Sequence, residues 1–296
     1  MKISLLRQAG LALGTASLVF LLGCSSVAPS VGTGRHFKGP VGLQLYSLRG
    51  QFTQNVPAAI QTAKGFGIHE VELAGLYNLK ADTLRDLLVT AGLQPISGHF
   101  PYDRFKNDPE GIAAEAKALG LKYAGCAWIN HAGGSMTADE ARAAAEVFNK
   151  AGTVLARHGI KCFYHCHGFE FVADAAGVAP MDLLMRHTHP ADVCFEMDVV
   201  WVIHPGQNPA TWLKKYPGRW ELMHLKDLRR GVATGNQTGK GDPNDDVALG
   251  TGQVDWPSVL STAQKTGVKH YFIEDESASV VTQVPQTLKY LETVSW

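Results

Sequence analysis

His99, His165, His167, Glu170, Asp198, His224, Lys226 and Glu274 have side chains that bind metals or move protons, and each lies at or just past the end of a short β-rich run. His99 ends one run, and His165, His167 and Glu170 follow another. Asp198, His224 and Glu274 end three more. If these runs are the parallel strands of one closed sheet, their carboxyl ends meet at a single mouth. On helices the same residues would scatter over the outside. Glu170, Asp198, His224 and Glu274 would then offer a mixed oxygen and nitrogen set to one divalent ion, with Mn²⁺, Mg²⁺, Co²⁺ and Zn²⁺ all suited to it. Such an ion could grip two neighbouring oxygens of a polyol, polarise a carbonyl and acidify the adjacent C–H. Flanking carboxylates could remove and return that proton.

Structural roles compete with these at several positions. His165 suits a satisfied core histidine equally well. His167 alternates to the same face, which favours a functional pair and turns Cys166 the other way. Glu170 and Glu274, if buried, need partners, either a ligand or a structural ion pair. Asp275 and Glu276 read as solvated neighbours of Glu274. Lys226 could bind substrate, act as a base or pair with Asp227. Trp128 and Trp201 offer flat faces to a sugar ring or fill core, and Trp256 reads as core. Arg49, Glu72 and His99 are expected to line the pocket with His165.

The positioning elements follow from periodicity and punctuation. Strands are expected at Val41–Tyr46, Glu70–Leu73, Gln94–Gly98, Tyr123–Trp128, Lys161–His165, Val193–Met197, Glu221–Leu225 and Tyr271–Glu274. Helices are expected between and after them at Val56–Phe66, Ala81–Ala91, Pro109–Leu119, Ala138–His158, Met181–His187, Pro209–Tyr216, Pro257–Thr266 and Val284–Val294. Thr137 and Glu140 form a capping box, and Pro257 opens a helix. Gly92, Gly120, Gly159 and Gly267 each close one before a strand. This alternation predicts an α/β fold, a (β/α)8 TIM barrel in one domain over residues 40–296. The long polar stretch from Arg229 to Val254 follows the seventh strand, on the face where barrels carry their chemistry.

The chain has 296 residues, with 45 % apolar and 18 % charged residues, the composition of a globular protein. Lys+Arg and Asp+Glu balance at 27 each, without the basic stripe a nucleic-acid partner would need. Lys2 and Arg7 precede an apolar run from Leu11 to Leu22 that ends at Gly23-Cys24-Ser25. Residues 1–23 read as a bacterial lipoprotein signal, with Cys24 becoming the lipidated first residue, or as an ordinary cleaved signal. Residues 24–39 read as a tether. The protein is therefore expected outside the cytoplasm, on the periplasmic side and held to the outer membrane through its lipid alone. Cys126, Cys162, Cys166 and Cys194 are expected as buried free thiols. Cys162 and Cys166 lie about 13 Å apart along a strand, beyond the ~7 Å reach of a disulfide.

The stretches Gly42–Arg49, Tyr164–Phe171, Glu196–Trp201, His224–Asp227 and Tyr271–Glu276 resemble, in that order, motifs of the sugar phosphate isomerase/epimerase family, whose fold is the xylose isomerase-like TIM barrel. The resemblance spans about residues 40–295. It implies one divalent metal held by Glu170, Asp198, His224 and Glu274, with the two glutamates as acid and base on opposite faces of the substrate. Cys166 stands where many relatives have Asn, and Trp201 where epimerase relatives have His. The expected activity is metal-dependent isomerisation or epimerisation of a non-phosphorylated sugar or keto-sugar, since phosphorylated sugars are mainly cytoplasmic. The alternatives are a lyase or hydratase on 3-keto-glycosides, with His167 and Lys226 as further catalytic groups, and a non-catalytic sugar-binding lipoprotein.

Overall fold

The computed structural model describes residues 31–296; the signal segment and Cys24 lie outside the described residues. Eight parallel strands close into a barrel: β1 (Val41–Gln44), β2 (Glu70–Leu73), β3 (Gln94–His99), β4 (Tyr123–Cys126), β5 (Lys161–His165), β6 (Val193–Asp198), β7 (Trp220–Leu225) and β8 (His270–Ile273). Each strand pairs with its sequence neighbours, and β8 closes on β1 through Val41 beside Tyr271. Parallel strands need crossovers, and helices packed outside the wall supply them. They are 3.6-periodic segments that bury one face, as Ala141, Ala144, Phe148 and Leu155 do on the helix Ala138–Arg157. No helix among the described residues is long and apolar enough to cross a membrane.

Side chains alternate across the wall. Ile96, Tyr123, Phe163, Cys194, Leu222 and Phe272 point inward and fill the barrel centre as an apolar layer. Above it, at the carboxyl ends, the inward positions turn polar with Glu72, His99, His165, Glu196, Asp198 and His224. The barrel centre thus forms a dry floor for the site.

Several boundaries differ from the expected ones. β1 stops at Gln44 because its side chain accepts the Tyr46 N–H and turns Leu45–Leu48 into a 3-10 helix. Short helices at Arg49–Gln54, Tyr102–Asn107 and Val199–Ile203 occupy stretches read as connections. The last helix starts at Val280, ahead of Pro285, because Val280 and Val284 are buried against the barrel. Of the stretch read as a tether, residues 31–39 pack on the fold: Phe37 is fully buried, edge-on to Tyr271 at 5.0 Å. The four cysteines expected as thiols are free and buried.

Candidate active site

His224, on β7, sits at the centre with its two ring nitrogens facing different groups. Nδ1 lies 3.0 Å from His165 Nε2, 3.0 Å from Glu274 Oε2 and 3.6 Å from Asp198 Oδ2. Nε2 lies 2.7 Å from Glu72 Oε1 and 3.2 Å from Glu196 Oε2. His99 Nε2 joins this second group, 3.2 Å from each of the same two carboxylates. The deeper carboxylates are shut off from solvent. Glu72 also accepts from the Gln44 side-chain amide at 2.6 Å and from the Ser97 hydroxyl at 2.5 Å.

The upper group, His165, Asp198, His224 and Glu274, suits a divalent cation. Its ligand atoms lie within 4.8 Å of one another, and two nitrogens with two carboxylate oxygens match borderline divalent ions. Asp198 Oδ2 is buried with no hydrogen-bond partner, a costly state that a cation would relieve. Burial alone would lower His224, yet Glu196, Glu274 and Asp198 push it well above the usual histidine range, so the surroundings demand positive charge there. For Glu274, the raising effect of burial is outweighed by Lys226 and His224, which bring it down to about 2. Burial is likewise outweighed at His99, which Glu72 and Glu196 lift to about 10.

The group borders a cavity of about 580 Å³, of the size that binds small ligands. His167 lines it, with Nδ1 3.2 Å from His165 Nδ1. Burial and the neighbouring His165 hold His167 well below the usual range, so its imidazole is neutral. Lys226 also lines it, donating to Glu276 Oε1 at 2.5 Å and lying 3.5 Å from Glu274 and 3.6 Å from Asp246. Burial opposes its charge, but Glu274, Asp246 and Asp198 more than offset this and hold the ammonium. Of the roles open to it, Lys226 thus has the surroundings of a cationic hydrogen-bond donor.

The segment after β7 covers the mouth. Asp227–Leu228 pairs antiparallel with Asp246–Val247, and the intervening chain brings Gly239–Pro243 onto the cavity. Gly239 has φ +68°, and a Cβ there would lie 2.9 Å from Phe169 and 3.1 Å from Trp128, so glycine allows this close approach. Asp227 is no partner of Lys226. Its carboxylate accepts from the amides of Gly250, Gly252 and Val254 and from the Trp256 indole, closing the base of the loop.

Asp198, His224 and Glu274 converge as expected, but Glu170 does not join them. Tyr164 alternates to the outer side of β5, where it stacks on Phe148 at 5.5 Å. Glu170 accepts the Tyr164 hydroxyl, so its carboxylate lies on that outer side, and the inward His165 provides the β5 donor. Glu72 underlies His224 and does not line the cavity, whereas His99 and His165 do. Arg49 lies at the rim, its guanidinium on the Glu276 carbonyl at 2.8 Å. Trp128 packs on His131, His167 and Phe169, outside the cavity lining. Trp201 lines the cavity but is only 7 % exposed, its ring between His167 and His204 with Lys226 Nζ 5.5 Å from its centre. Sequence reasoning overlooked Glu196, Asp246, His204 and the pairing of Glu276. Glu196 had a signal, since it precedes Asp198 by two residues on one strand and must share its face.

The comparisons agree with this architecture. An inosose dehydratase of Clostridium beijerinckii is 32 % identical over 94 residues, covering 32 % of this chain and 30 % of the relative; the match thus spans about a third of that relative's length. A sugar phosphate isomerase/epimerase structure from Parabacteroides distasonis ATCC 8503 superposes with a TM-score of 0.71 at 22 % identity, covering 86 % of this chain and 93 % of the other. The IOLI protein with a bound zinc atom superposes with a TM-score of 0.67 at 15 % identity, covering 85 % and 95 %. Residues 60–296 match the family model for this barrel, so the chain belongs to the xylose isomerase-like TIM barrel family.

Proposed function

We propose that this protein is a metal-dependent dehydratase, a carbon–oxygen lyase, acting on a non-phosphorylated cyclic keto-polyol or keto-sugar. The observation that carries the reading is the His167 imidazole, which lines the cavity 3.2 Å from His165 and beside the donor group His165, Asp198, His224 and Glu274. These four residues would hold the metal. A bound dication would polarise the substrate carbonyl and acidify the neighbouring C–H. His167 takes that proton as general base and can deliver it to the hydroxyl departing from the next carbon, so that water leaves and a C=C bond remains. Epimerisation through bases on opposite faces loses its expected pair, because Glu170 lies outside the barrel wall. Lys226 donates hydrogen bonds to substrate oxygens. Asp246, Glu276 and Glu274 line the cavity beside it and disfavour a phosphate group. The similarity to an inosose dehydratase supports the same chemistry. The signal-like first 23 residues, followed by Cys24 as the expected point of lipidation, support action outside the cytoplasm.

The test is incubation of the metal-loaded protein with inosose and related keto-sugars in D₂O. An unsaturated ketone absorbing in the ultraviolet, formed only with metal, is the expected result. Metal-dependent C–H exchange without that product would favour the isomerase/epimerase reading. Binding without any turnover would favour a sugar-binding lipoprotein.

A further inference from the structure

Glu170 is a fully buried carboxylate that the chemistry above leaves unused. Its surroundings are specific. Oε1 accepts the Tyr164 hydroxyl and, at 2.9 Å, the backbone N–H of His167; Oε2 lies 3.2 Å from the same N–H. The segment it grips leaves β5 at His165 and turns at once: Phe171 N–H donates to the Gly168 carbonyl at 3.3 Å. Gly168 has φ +98° and its Cα packs so closely that a Cβ would lie 3.0 Å from the Trp201 carbonyl, so the turn tolerates little besides glycine. Beyond it, the Glu170 carbonyl accepts from Met181 N–H at 2.8 Å, tying the segment to the helix Pro180–His187. The His167 ring lies against Trp128 and Trp201, with centroids 5.3 and 5.4 Å away. Those contacts limit where the ring lies but leave its backbone to be held by something else, and the Glu170 carboxylate is the group that holds it.

We propose that Glu170 is the positioning residue of His167. Anchored by Tyr164 from outside the wall, it fixes the His167 backbone so that the ring stays beside His165 and faces the cavity. The proposal rests on the reading of His167 as the base. It replaces a ligand or acid–base role for Glu170 with one exerted through its neighbour. The carboxylate acts here by accepting hydrogen bonds, and the Tyr164 hydroxyl and the His167 N–H share Oε1, so the single oxygen of an amide should serve both.

The test compares zinc-loaded wild type, Glu170→Gln and Glu170→Ala. The readouts are zinc per chain, kcat and KM on inosose, and ¹⁵N–¹H correlation spectra of the histidine rings, with the His167 signals identified by their loss in His167→Gln. Glu170→Gln keeps an oxygen for the His167 N–H, and is expected to keep zinc, the wild-type His167 signals and kcat within a few-fold. Glu170→Ala is expected to shift or broaden the His167 signals and lower kcat by about a hundredfold, at unchanged zinc content and KM. A folded Glu170→Gln protein that loses zinc or activity would overturn the proposal and return Glu170 to the chemistry. Wild-type His167 signals in Glu170→Ala would also overturn it. If the alanine variant does not fold, Glu170→Gln alone decides by the same outcomes. If wild type forms no unsaturated product, the dehydratase reading fails, and the ring spectra still test the positioning role.

Discussion

At the scale of single residues, His224 makes the site possible by using both faces of its ring. Nδ1 joins the ligand group while Nε2–H is held by Glu72, the arrangement that fixes tautomer and orientation in metal-binding histidines. Asp198→Ala and His165→Ala should each remove the metal from the purified protein, read as moles of metal per chain by elemental analysis. Retention of a full equivalent by His165→Ala would exclude it from the ligand set. Glu72→Gln should leave the ion in place but weaken it by about ten- to a hundredfold, measured by competition with a chelator. Asp198, His224 and Glu274 were legible in the sequence because each ends a strand and must face the axis. Glu170 was misplaced because it lies five residues past β5, where alternation no longer says which side of the wall a side chain takes. Its motif led to the expected ligand role, while the inward His165 seemed equally suited to a core.

At the scale of elements, strand ends supply the donors and one loop supplies the cover. The Asp227 carboxylate takes four N–H donors at the base of that loop. Asp227→Ala would leave several of them unpaired in a largely buried place. It should cost about 2–4 kcal/mol in urea unfolding and raise susceptibility to proteolysis within 229–254. Gly239→Val should instead hinder the approach of the loop to Phe169 and His167, raising KM while metal content stays at one equivalent. An unchanged KM would mean that this part of the loop does not shape the pocket. The length and polarity of the segment marked it as functional in the sequence. Its antiparallel pairing at Asp246–Val247 was not legible, since two residues are too few for a periodic signal.

At the scale of the whole molecule, the buried carboxyls set how stability depends on pH. Burial pushes Glu170 and Asp246 up to about 7, from ordinary values of 4.5 and 3.8. Between those ordinary values and pH 7 the native state keeps protons that the unfolded chain has released, so stability falls as pH rises through that window. For Glu170 this is of the order of 3 kcal/mol. Glu170→Gln should therefore flatten the decline in urea midpoint of the metal-free protein between pH 5 and 8, and an equally steep decline would show that Glu170 does not titrate there. Glu221 acts in the opposite sense. Burial would raise it, but Lys161 and Lys269 hold it below the usual 4.5, so its contribution is present above that pH and is lost as acid protonates it. Acid should also strip the metal, because its histidine and carboxylate ligands must be deprotonated to bind.

The barrel itself was readable from the chain, because β-rich runs alternating with amphipathic helices and helix-closing glycines are local patterns that a closed parallel sheet satisfies. That histidines and carboxylates gather at the strand ends followed from the same alternation, since a strand end in a closed sheet has only one inside. The tertiary structure alone decided which members of the gathering touch. It put Glu170 outside the wall, set Glu72 and Glu196 beneath His224, held Lys226 as a cation among three acids, and enclosed Trp201 between two histidines. These depend on contacts that only the closed barrel and the turns at its mouth bring about, and on a dielectric that only burial creates. No periodicity along a chain records either.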